Sequence, residues 1–181
     1  RQHGAIYAVR LSHVKGCGLR GLSVIKGRKN VICLAVNREE VITFAARTET
    51  IRRLSYMELI KGKEFGGERP LFASHELVLE DVVIREGESA IKECSDIVAR
   101  NCRFEGNYPF WHVHRFEIDR CYFDVGGRSA LWYSDHLKMK DTLIDAPKMF
   151  REMEEIDLEN VRMTDADEVF WRCKGIRAKN L

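Results

Sequence analysis

The sequence predicts an all-β solenoid, a right-handed parallel β-helix with about 20 residues per coil. The first observation behind this prediction is a set of apolar residues that recur 19 to 21 positions apart, which we call the anchor column: Leu77, Ile97, Phe116, Leu137, Ile156 and Ile176. The second is that further apolar positions keep the same spacing. The third is a polar position that recurs between them. A fixed period of this length is typical of structural units stacked on one another.

Three more columns are apolar and lie at constant offsets before or after the anchors. Two residues after the anchor stand Leu79, Ala99, Ile118, Met139, Leu158 and Ala178; seven after stand Ile84, Phe104, Phe123, Ile144 and Met163; six before stand Leu71, Ile91, Phe110, Leu131, Phe150 and Phe170. Apolar residues two apart lie on one face of a short strand. Three short strands joined by turns describe one rung of a triangular β-helix, with rungs about 4.8 Å apart.

The recurring polar position lies four residues after the anchor, and we call it the corner column: Asp81, Asn101, Arg120, Asp141, Asn160 and Asn180. Asp and Asn tolerate the backbone angles of tight turns and hydrogen-bond locally. Stacked amides also bond one another along a solenoid axis. We therefore predict that this column forms a structural turn and does not bind a ligand.

A leucine-rich repeat has an overlapping period and is the alternative fold. Its consensus places Asn three residues beyond the second strand leucine, whereas Asn101 and Asn160 fall two residues beyond Ala99 and Leu158. The extra apolar pair at five and seven residues after the anchor is also a strand that the horseshoe fold does not need. Both differences favour the β-helix.

Residues 1–56 lie outside the repeat and form a basic extension. They contain eleven Lys and Arg against three Glu and no Asp. This composition permits phosphate contacts with nucleic acid, but the charges are scattered and no binding motif accompanies them. We expect upstream or non-native sequence that precedes a start at Met57. The apolar runs 31–36 and 40–46 fit either strands or one helix.

Residues 57–70 are predicted to cap the solenoid, and residues 71–181 to form about six coils. The first hydrophobic face of a strand stack must be covered, and Leu59, Ile60 and Phe65 are suited to this. Gly66 and Gly67 then supply a turn into the first coil.

Several motifs in this region resemble a known family. They are Gly66-Gly67-Glu68-Arg69-Pro70-Leu71-Phe72, Tyr108-Pro109-Phe110-Trp111, Leu131-Trp132-Tyr133 and Asp145-Ala146-Pro147-Lys148-Met149-Phe150-Arg151. From about Met57 to Leu181 the chain resembles the family called domain of unknown function 3737, which is similar to pectin-lyase-like right-handed β-helices. The resemblance implies the fold and carries no activity or catalytic residue. It also implies further coils after Leu181, so we expect the chain to be truncated there.

The candidate ligand site is an outward stripe five residues before the anchors, which we call the outer stripe: Phe72, Lys92, Trp111, Trp132, Arg151 and Trp171. Its charged members predict that the column faces solvent. His112 and Tyr133 stand beside Trp111 and Trp132 on adjacent rungs. Flat apolar rings with polar edges are what a sugar-binding surface presents. The ligand-binding candidates are Trp111, His112, Trp132, Tyr133 and Trp171, and packing of the indoles against a covering segment is the alternative.

No catalytic constellation stands out, so the sequence leaves open whether the protein is an enzyme. Asp145 and Asp165 stack in adjacent loops, but no paired carboxylates or base with a cation accompany them. His112 and His114 lack metal-ligand spacing, and we predict neither metal nor cofactor. A carbohydrate-binding or scaffold solenoid, with an oligosaccharide or polysaccharide as partner, is the first hypothesis. A polysaccharide lyase or glycoside hydrolase is the second, and nucleic-acid binding is the third.

The cysteines and the hydropathy pattern bear on location. Cys102 and Cys121 share one column and Cys94 and Cys173 share another, as expected of small apolar residues in an interior stack. No C-x-x-C pair occurs. Reduced thiols predict a cytoplasmic protein. No apolar run has the length needed to span a membrane.

Overall fold

The structure is a computed structural model that describes the strands Val9–Arg10, Leu22–Lys26 and Val31–Ala35 together with residues 48–181. The chain divides into two compact units, 1–55 and 56–181. In the first unit, β1 (Val9–Arg10), β2 (Leu22–Lys26) and β3 (Val31–Ala35) form an antiparallel sheet in the order β1-β2-β3. Residues 48–54 are helical. The apolar run 31–36 therefore supplies a strand, and the run 40–46 lies outside the described residues.

The second unit is a parallel β-solenoid of about six turns of roughly 20 residues, which confirms the predicted fold class. Its strands are β4 (Glu58–Lys61), β5 (Glu64–Glu68), β6 (His75–Glu80), β7 (Val83–Glu88), β8 (Ser95–Arg100), β9 (Arg103–Phe104), β10 (Phe110–Trp111), β11 (His114–Asp119), β12 (Tyr122–Phe123), β13 (Leu131–Trp132), β14 (Asp135–Ile144), β15 (Glu154–Met163) and β16 (Lys174–Lys179). One ladder follows the anchors in the order β4-β6-β8-β11-β14-β15-β16. A second ladder has the order β5-β7-β9-β12. It joins the first because β14 continues past the corner column, and its last residues pair with β12.

The anchor column stacks in register along the first ladder. Leu77 pairs with Ile97, Ile97 with Phe116, and the pairing continues through Leu137 and Ile156 to Ile176. The anchors from Leu77 to Ile156 are buried, whereas Ile176 is 39% exposed. Among the described strands β16 ends this ladder with β15 as its partner, which leaves Ile176 less covered than the other anchors. The interior is otherwise filled by the apolar columns, including stacked rings of Phe104 and Phe123 with centroids 4.8 Å apart.

The repeat extends one coil further toward the N terminus than the sequence columns predict. β4 pairs Glu58 with Leu77 and Ile60 with Leu79, and β5 pairs Phe65 with Ile84. The segment 57–70, which we expected to be an atypical cap, therefore follows the coil register. Ile60 and Phe65 pack against the core, but Leu59 points outward and is exposed, which corrects the expectation that it covers the first face. The anchor position of this coil holds Glu58 and not an apolar residue, so the apolar spacing does not reveal the coil.

Each coil bends at left-handed residues, and the corner column is one such position. Its members have φ between 49° and 55°. Asn101 Nδ2 donates to Asp81 Oδ1 at 3.2 Å, and Arg120 Nε donates to Asn101 Oδ1 at 2.9 Å. The sequence prediction of a turn with axial hydrogen bonds agrees with this geometry. Arg120, which interrupts the Asx pattern, still bonds the preceding coil because its guanidinium donates to Asn101.

Four cysteines lie beside two corners of the coil, where their thiols donate hydrogen bonds to backbone carbonyl groups. In one column Cys94, Ser134 and Cys173 occupy equivalent positions; in the other Cys102, Cys121 and Thr142 do. Each side chain donates to the carbonyl two residues earlier, over 2.8 to 3.7 Å. These four described cysteines, Cys94, Cys102, Cys121 and Cys173, are free thiols. They act as small interior residues that also donate weak hydrogen bonds, which is why Ser and Thr replace them in neighbouring coils.

Candidate functional site

The outer stripe lies on the third, short ladder of the coil. β10 and β13 pair in parallel, with Phe110 opposite Leu131 and Trp111 opposite Trp132. Because side chains alternate along a strand, Phe110 and Leu131 enter the core and the two tryptophans face outward. Single bridges continue the ladder from Trp132 to Arg151 and from Arg151 to Trp171. The strand geometry therefore places the stripe residues one above another.

Five aromatic side chains gather on this ladder, and we call them the aromatic patch: Tyr108, Trp111, His112, Trp132 and Tyr133. The indole centroids of Trp111 and Trp132 are 5.2 Å apart with their planes tilted by 40°. Tyr133 lies 5.4 Å from Trp111 and stacks on His112 at 5.3 Å. The patch is continuous over two neighbouring coils.

The patch side chains are half-buried, neither enclosed in the core nor fully exposed. Trp132 Nε1 donates to the Lys148 carbonyl at 2.8 Å, which holds that indole in one orientation. His112 and Tyr133 have left-handed backbones, with φ of 55° and 53°. The rings are therefore fixed by their coils while part of each surface remains accessible.

Cations border the patch along the stripe. Lys92 Nζ lies 5.6 Å from the Trp111 ring centre. The Arg151 guanidinium lies 4.8 Å from the Trp132 ring and 5.2 Å from the Trp171 ring. Cations over indole faces are favourable contacts. They also place positive charge at both ends of the patch.

The structure brings together Trp111, His112, Trp132 and Tyr133, but it separates Trp171 from them. The Arg151 side chain stands between Trp171 and Trp132, and Trp171 is 48% exposed on the coil that carries β16. Tyr108 is a patch member that the column analysis missed, with its ring 5.0 Å from that of Trp111. Its column holds Arg69, Ser89 and Ser129 in other coils, so no periodic signal marks it. Its closeness in sequence to Trp111, three residues later, is the one feature of the sequence that indicates Tyr108 as a patch member.

The acidic side chains near the second ladder are engaged by neighbours. Arg103 Nε donates to Glu105 at 2.7 Å and also pairs with Asp124. The hydrogen bond from Arg103 lowers the pKa of Glu105. Hydrogen bonds from Thr164 and Tyr122, of 2.7 and 2.6 Å, lower the pKa of Asp145. The lowered pKa values of Glu105 and Asp145 favour their ionised forms, whereas a glycosidase acid needs a raised pKa.

Two histidines outside the patch, His114 and His136, share one carboxylate. His114 Nδ1 lies 2.5 Å from Asp135 Oδ2, and His136 Nδ1 lies 2.7 Å from Asp135 Oδ1. Burial raises the pKa of Asp135, but the hydrogen bonds from the two imidazoles outweigh it, and the net shift is downward. In the part of the chain that the structure describes, no group of three or more His, Cys, Asp or Glu side chains is arranged to hold a metal ion.

A groove of about 560 Å³ lies on the anchor face, away from the patch, and it is lined mainly by charged residues of β11, β14, β15 and β16. Its charges already pair with one another, as in Arg177 Nη2 with Asp157 Oδ2 at 3.0 Å and Lys179 with Glu159 at 2.9 Å. A ligand would have to displace these pairs. The aromatic patch offers ring surfaces and uncharged polar groups, with Lys92 and Arg151 as movable side chains over two of its rings, and we regard it as the better candidate site.

Comparison with known proteins identifies a family for this chain. A family model described as "Protein of unknown function (DUF3737)" matches residues 58–181. The matched span begins at the first residue of β4 and covers the whole solenoid. No curated protein and no solved structure matches the chain. Among the described residues, no helix has the length and apolar character needed to cross a membrane.

Proposed function

We propose that the solenoid of this chain, which belongs to the DUF3737 family of proteins of unknown function, binds an oligosaccharide along the aromatic patch. The observation that carries the proposal is the pair of half-buried indoles, Trp111 and Trp132, on adjacent coils with ring centres 5.2 Å apart. Two ring surfaces in line along the axis suit a ligand made of repeating rings.

The ring surfaces match the chemistry of a sugar. The C–H faces of a pyranose are apolar and pack on aromatic faces, while its hydroxyl groups need hydrogen bonds at the rim. Tyr133 and His112 lie beside the indoles and supply a hydroxyl and an imidazole. Tyr108 supplies a second hydroxyl beside Trp111. Apolar surface with a few polar groups at its edge is typical of small-molecule sites.

The rigid setting of the patch supports binding without large rearrangement. Trp132 is held by its hydrogen bond to Lys148, and the strands β10 and β13 belong to the solenoid wall. Side chains that are already ordered lose little entropy when a ligand arrives. The carboxylates Glu105 and Asp145 near the second ladder have lowered pKa values, which favours binding over acid catalysis.

The test is a titration of the whole protein with neutral and acidic oligosaccharides, followed by tryptophan fluorescence and calorimetry. We expect binding that weakens roughly fivefold in Trp111→Ala and in Trp132→Ala, because one aromatic stacking contact contributes about 1 kcal/mol. Phe72→Ala is the matched control, since Phe72 is an exposed aromatic residue on the same stripe that contacts Arg69 and not the patch. Absence of binding to every glycan would overturn the proposal and favour a scaffold role.

A further inference from the structure

Two cations of the outer stripe lie over the rings that the proposed glycan would contact. Lys92 Nζ is 5.6 Å from the Trp111 ring centre, and the Arg151 guanidinium is 4.8 Å from the Trp132 ring centre. Lys92 belongs to the coil before Trp111, and Arg151 pairs with Trp132 from the coil after it. The cations therefore flank the two indoles along the solenoid axis.

A ligand that stacks on these indoles has to move the cations from the ring faces. A cation over an indole is a favourable contact, and a neutral sugar offers only hydroxyl groups in exchange for it. A carboxylate offers a charge-assisted hydrogen bond, which is stronger than a bond to a neutral group. The two cations therefore oppose a neutral ligand and favour an acidic one.

Neither cation is held by a carboxylate of the chain. Other cations of the solenoid are, as in Arg85 Nη2 with Glu64 Oε1 at 2.8 Å. Among residues 48–181, no Asp or Glu side chain forms an ion pair with Lys92 or Arg151. A ligand can therefore recruit both charges without breaking an ion pair, which distinguishes this site from the groove on the anchor face.

The two ends of the patch differ in the acidic side chains around them. Near Arg151 the carboxylates are neutralised by other cations, in the pairs Glu152–Arg172 at 3.9 Å and Glu168–Lys148 at 3.4 Å. Beside Lys92, Glu93 is exposed and forms no ion pair with a cation of the described solenoid. An anion is therefore attracted more strongly to the Arg151 end.

We propose that the ligand of the aromatic patch is an acidic oligosaccharide, whose uronate carboxylates bind Arg151 and Lys92 while its rings stack on Trp111 and Trp132. The inference rests on the proposed glycan function and adds its chemical class. A guanidinium presents two parallel donors that match a carboxylate. Lys92 and Arg151 are three coils apart, or about 14 Å along the axis. A chain that carries one carboxylate on each sugar unit can reach both cations.

The test compares uronic acid tetrasaccharides with their own methyl esters, titrated into the whole protein and followed by calorimetry. The probes are tetramers of galacturonate, glucuronate and mannuronate. The methyl ester keeps the ring and the linkage and removes the charge. We expect the acid form of at least one probe to bind roughly tenfold more tightly than its ester, with a ratio that falls as salt is added.

The outcomes separate this inference from the glycan function itself. If each ester binds as tightly as its acid, the acidic class is wrong while glycan binding stands. If neither form of any probe binds at millimolar concentration, glycan binding fails and this inference fails with it. A sulfated neutral tetrasaccharide that binds more tightly than every uronate would overturn the assignment of carboxylate.

Variants test the two cations directly. Lys92→Gln with Arg151→Gln should bring the ratio of acid to ester affinity close to one, because two ion pairs are lost. The same double variant should bind the ester at least as tightly as the unmodified protein does, since the ring faces are uncovered. Arg151→Gln alone should have the larger effect of the two single changes, and Glu93→Gln should tighten the acid about twofold.

The matched control is Lys63→Gln with Arg162→Gln, which removes the same charge away from the outer stripe; both residues are exposed. It should leave the ratio of acid to ester affinity unchanged, and thermal melting checks that each variant is folded. An equal fall of the ratio in both double variants would overturn the proposal, because net charge alone would then explain the preference.

Discussion

Asn160 lies one coil beyond Asp141, and its Nδ2 donates to Asp141 Oδ1 at 2.9 Å while both backbones adopt left-handed angles, with φ of 53° and 49°. The corner column thus combines two demands on one residue. The backbone must turn at a φ that most side chains disfavour, and the side chain must bridge to the next coil. Asn and Asp meet both demands, which explains their recurrence at this position.

The first prediction separates these demands at Asn160. Asn160→Gly keeps the backbone angle free of strain and loses only the side-chain hydrogen bonds. Asn160→Leu loses the bonds and adds a left-handed penalty of about 1 kcal/mol. We expect the free energy of unfolding in urea to fall in both variants and to fall further in the Leu variant. Equal losses would contradict a role for the backbone angle.

A second prediction concerns the aromatic interior. Phe123 is fully buried and stacks on Phe104, so Phe123→Ala should cost about 3–5 kcal/mol of unfolding free energy. Val125→Ala is the nearby control: Val125 is 64% exposed, and a change within about 0.5 kcal/mol is expected. Chemical denaturation of both variants provides the measurement. A small loss at Phe123 would mean that the coil interior repacks readily.

Thiol reactivity gives a third prediction. Burial raises the pKa of Cys94 to about 11, and burial also raises the pKa of the partly exposed Cys173. Iodoacetamide reacts with the thiolate, so at neutral pH both thiols should react slowly in the folded protein. Cys173 should be modified before Cys94 because it is the more accessible. Peptide mapping by mass spectrometry, with a urea-unfolded sample as control, distinguishes the two; preferential modification of Cys94 would contradict the packing.

Much of the fold could be predicted from the sequence because a stacked repeat places equivalent residues in equivalent environments. The anchor column, the corner column and the paired apolar positions all followed from spacing alone. The coil containing Glu58 could not be found this way, since its anchor position is not apolar. The charges that alternate in sign along the first ladder, from Lys61 and Glu80 to Lys179, could not be found this way either, because their pattern has a period of two coils and depends on the strand register.

The site was predicted less completely than the fold. The stripe spacing identified Trp111 and Trp132 as neighbours, and the structure places their rings together. Trp171 shares the column, but the Arg151 side chain intervenes and separates it from the patch. Column position specifies where a Cα lies, whereas the direction and contacts of a long side chain depend on the residues in the coils on either side. Tyr108 joins the patch from a different column for the same reason.

A fourth prediction concerns acid stability at Asp145. Thr164 and Tyr122 donate to this carboxylate and lower its pKa below the ordinary Asp value. A depressed folded-state pKa adds stability above the unfolded pKa of about 3.9, and that stability is lost as pH falls through the folded value. Tyr122→Phe should therefore lower the melting temperature at pH 7 and have less effect near pH 2. Tyr56→Phe, an exposed tyrosine, is the control.

The last prediction concerns the independence of the solenoid. A chain starting at Met57 retains every strand from β4 to β16, and therefore the complete parallel ladders and the buried columns. We expect it to unfold in a single cooperative transition, with the circular dichroism of a β-protein. Removal of residues 161–181 should do more damage, because it deletes β16 and the last three residues of β15 and leaves the rest of β15, with Ile156 and Leu158, as the open edge. If instead the chain starting at Met57 lost cooperative unfolding while the chain ending at Asn160 kept it, the solenoid would depend on residues 1–56 and not on its own stacked coils.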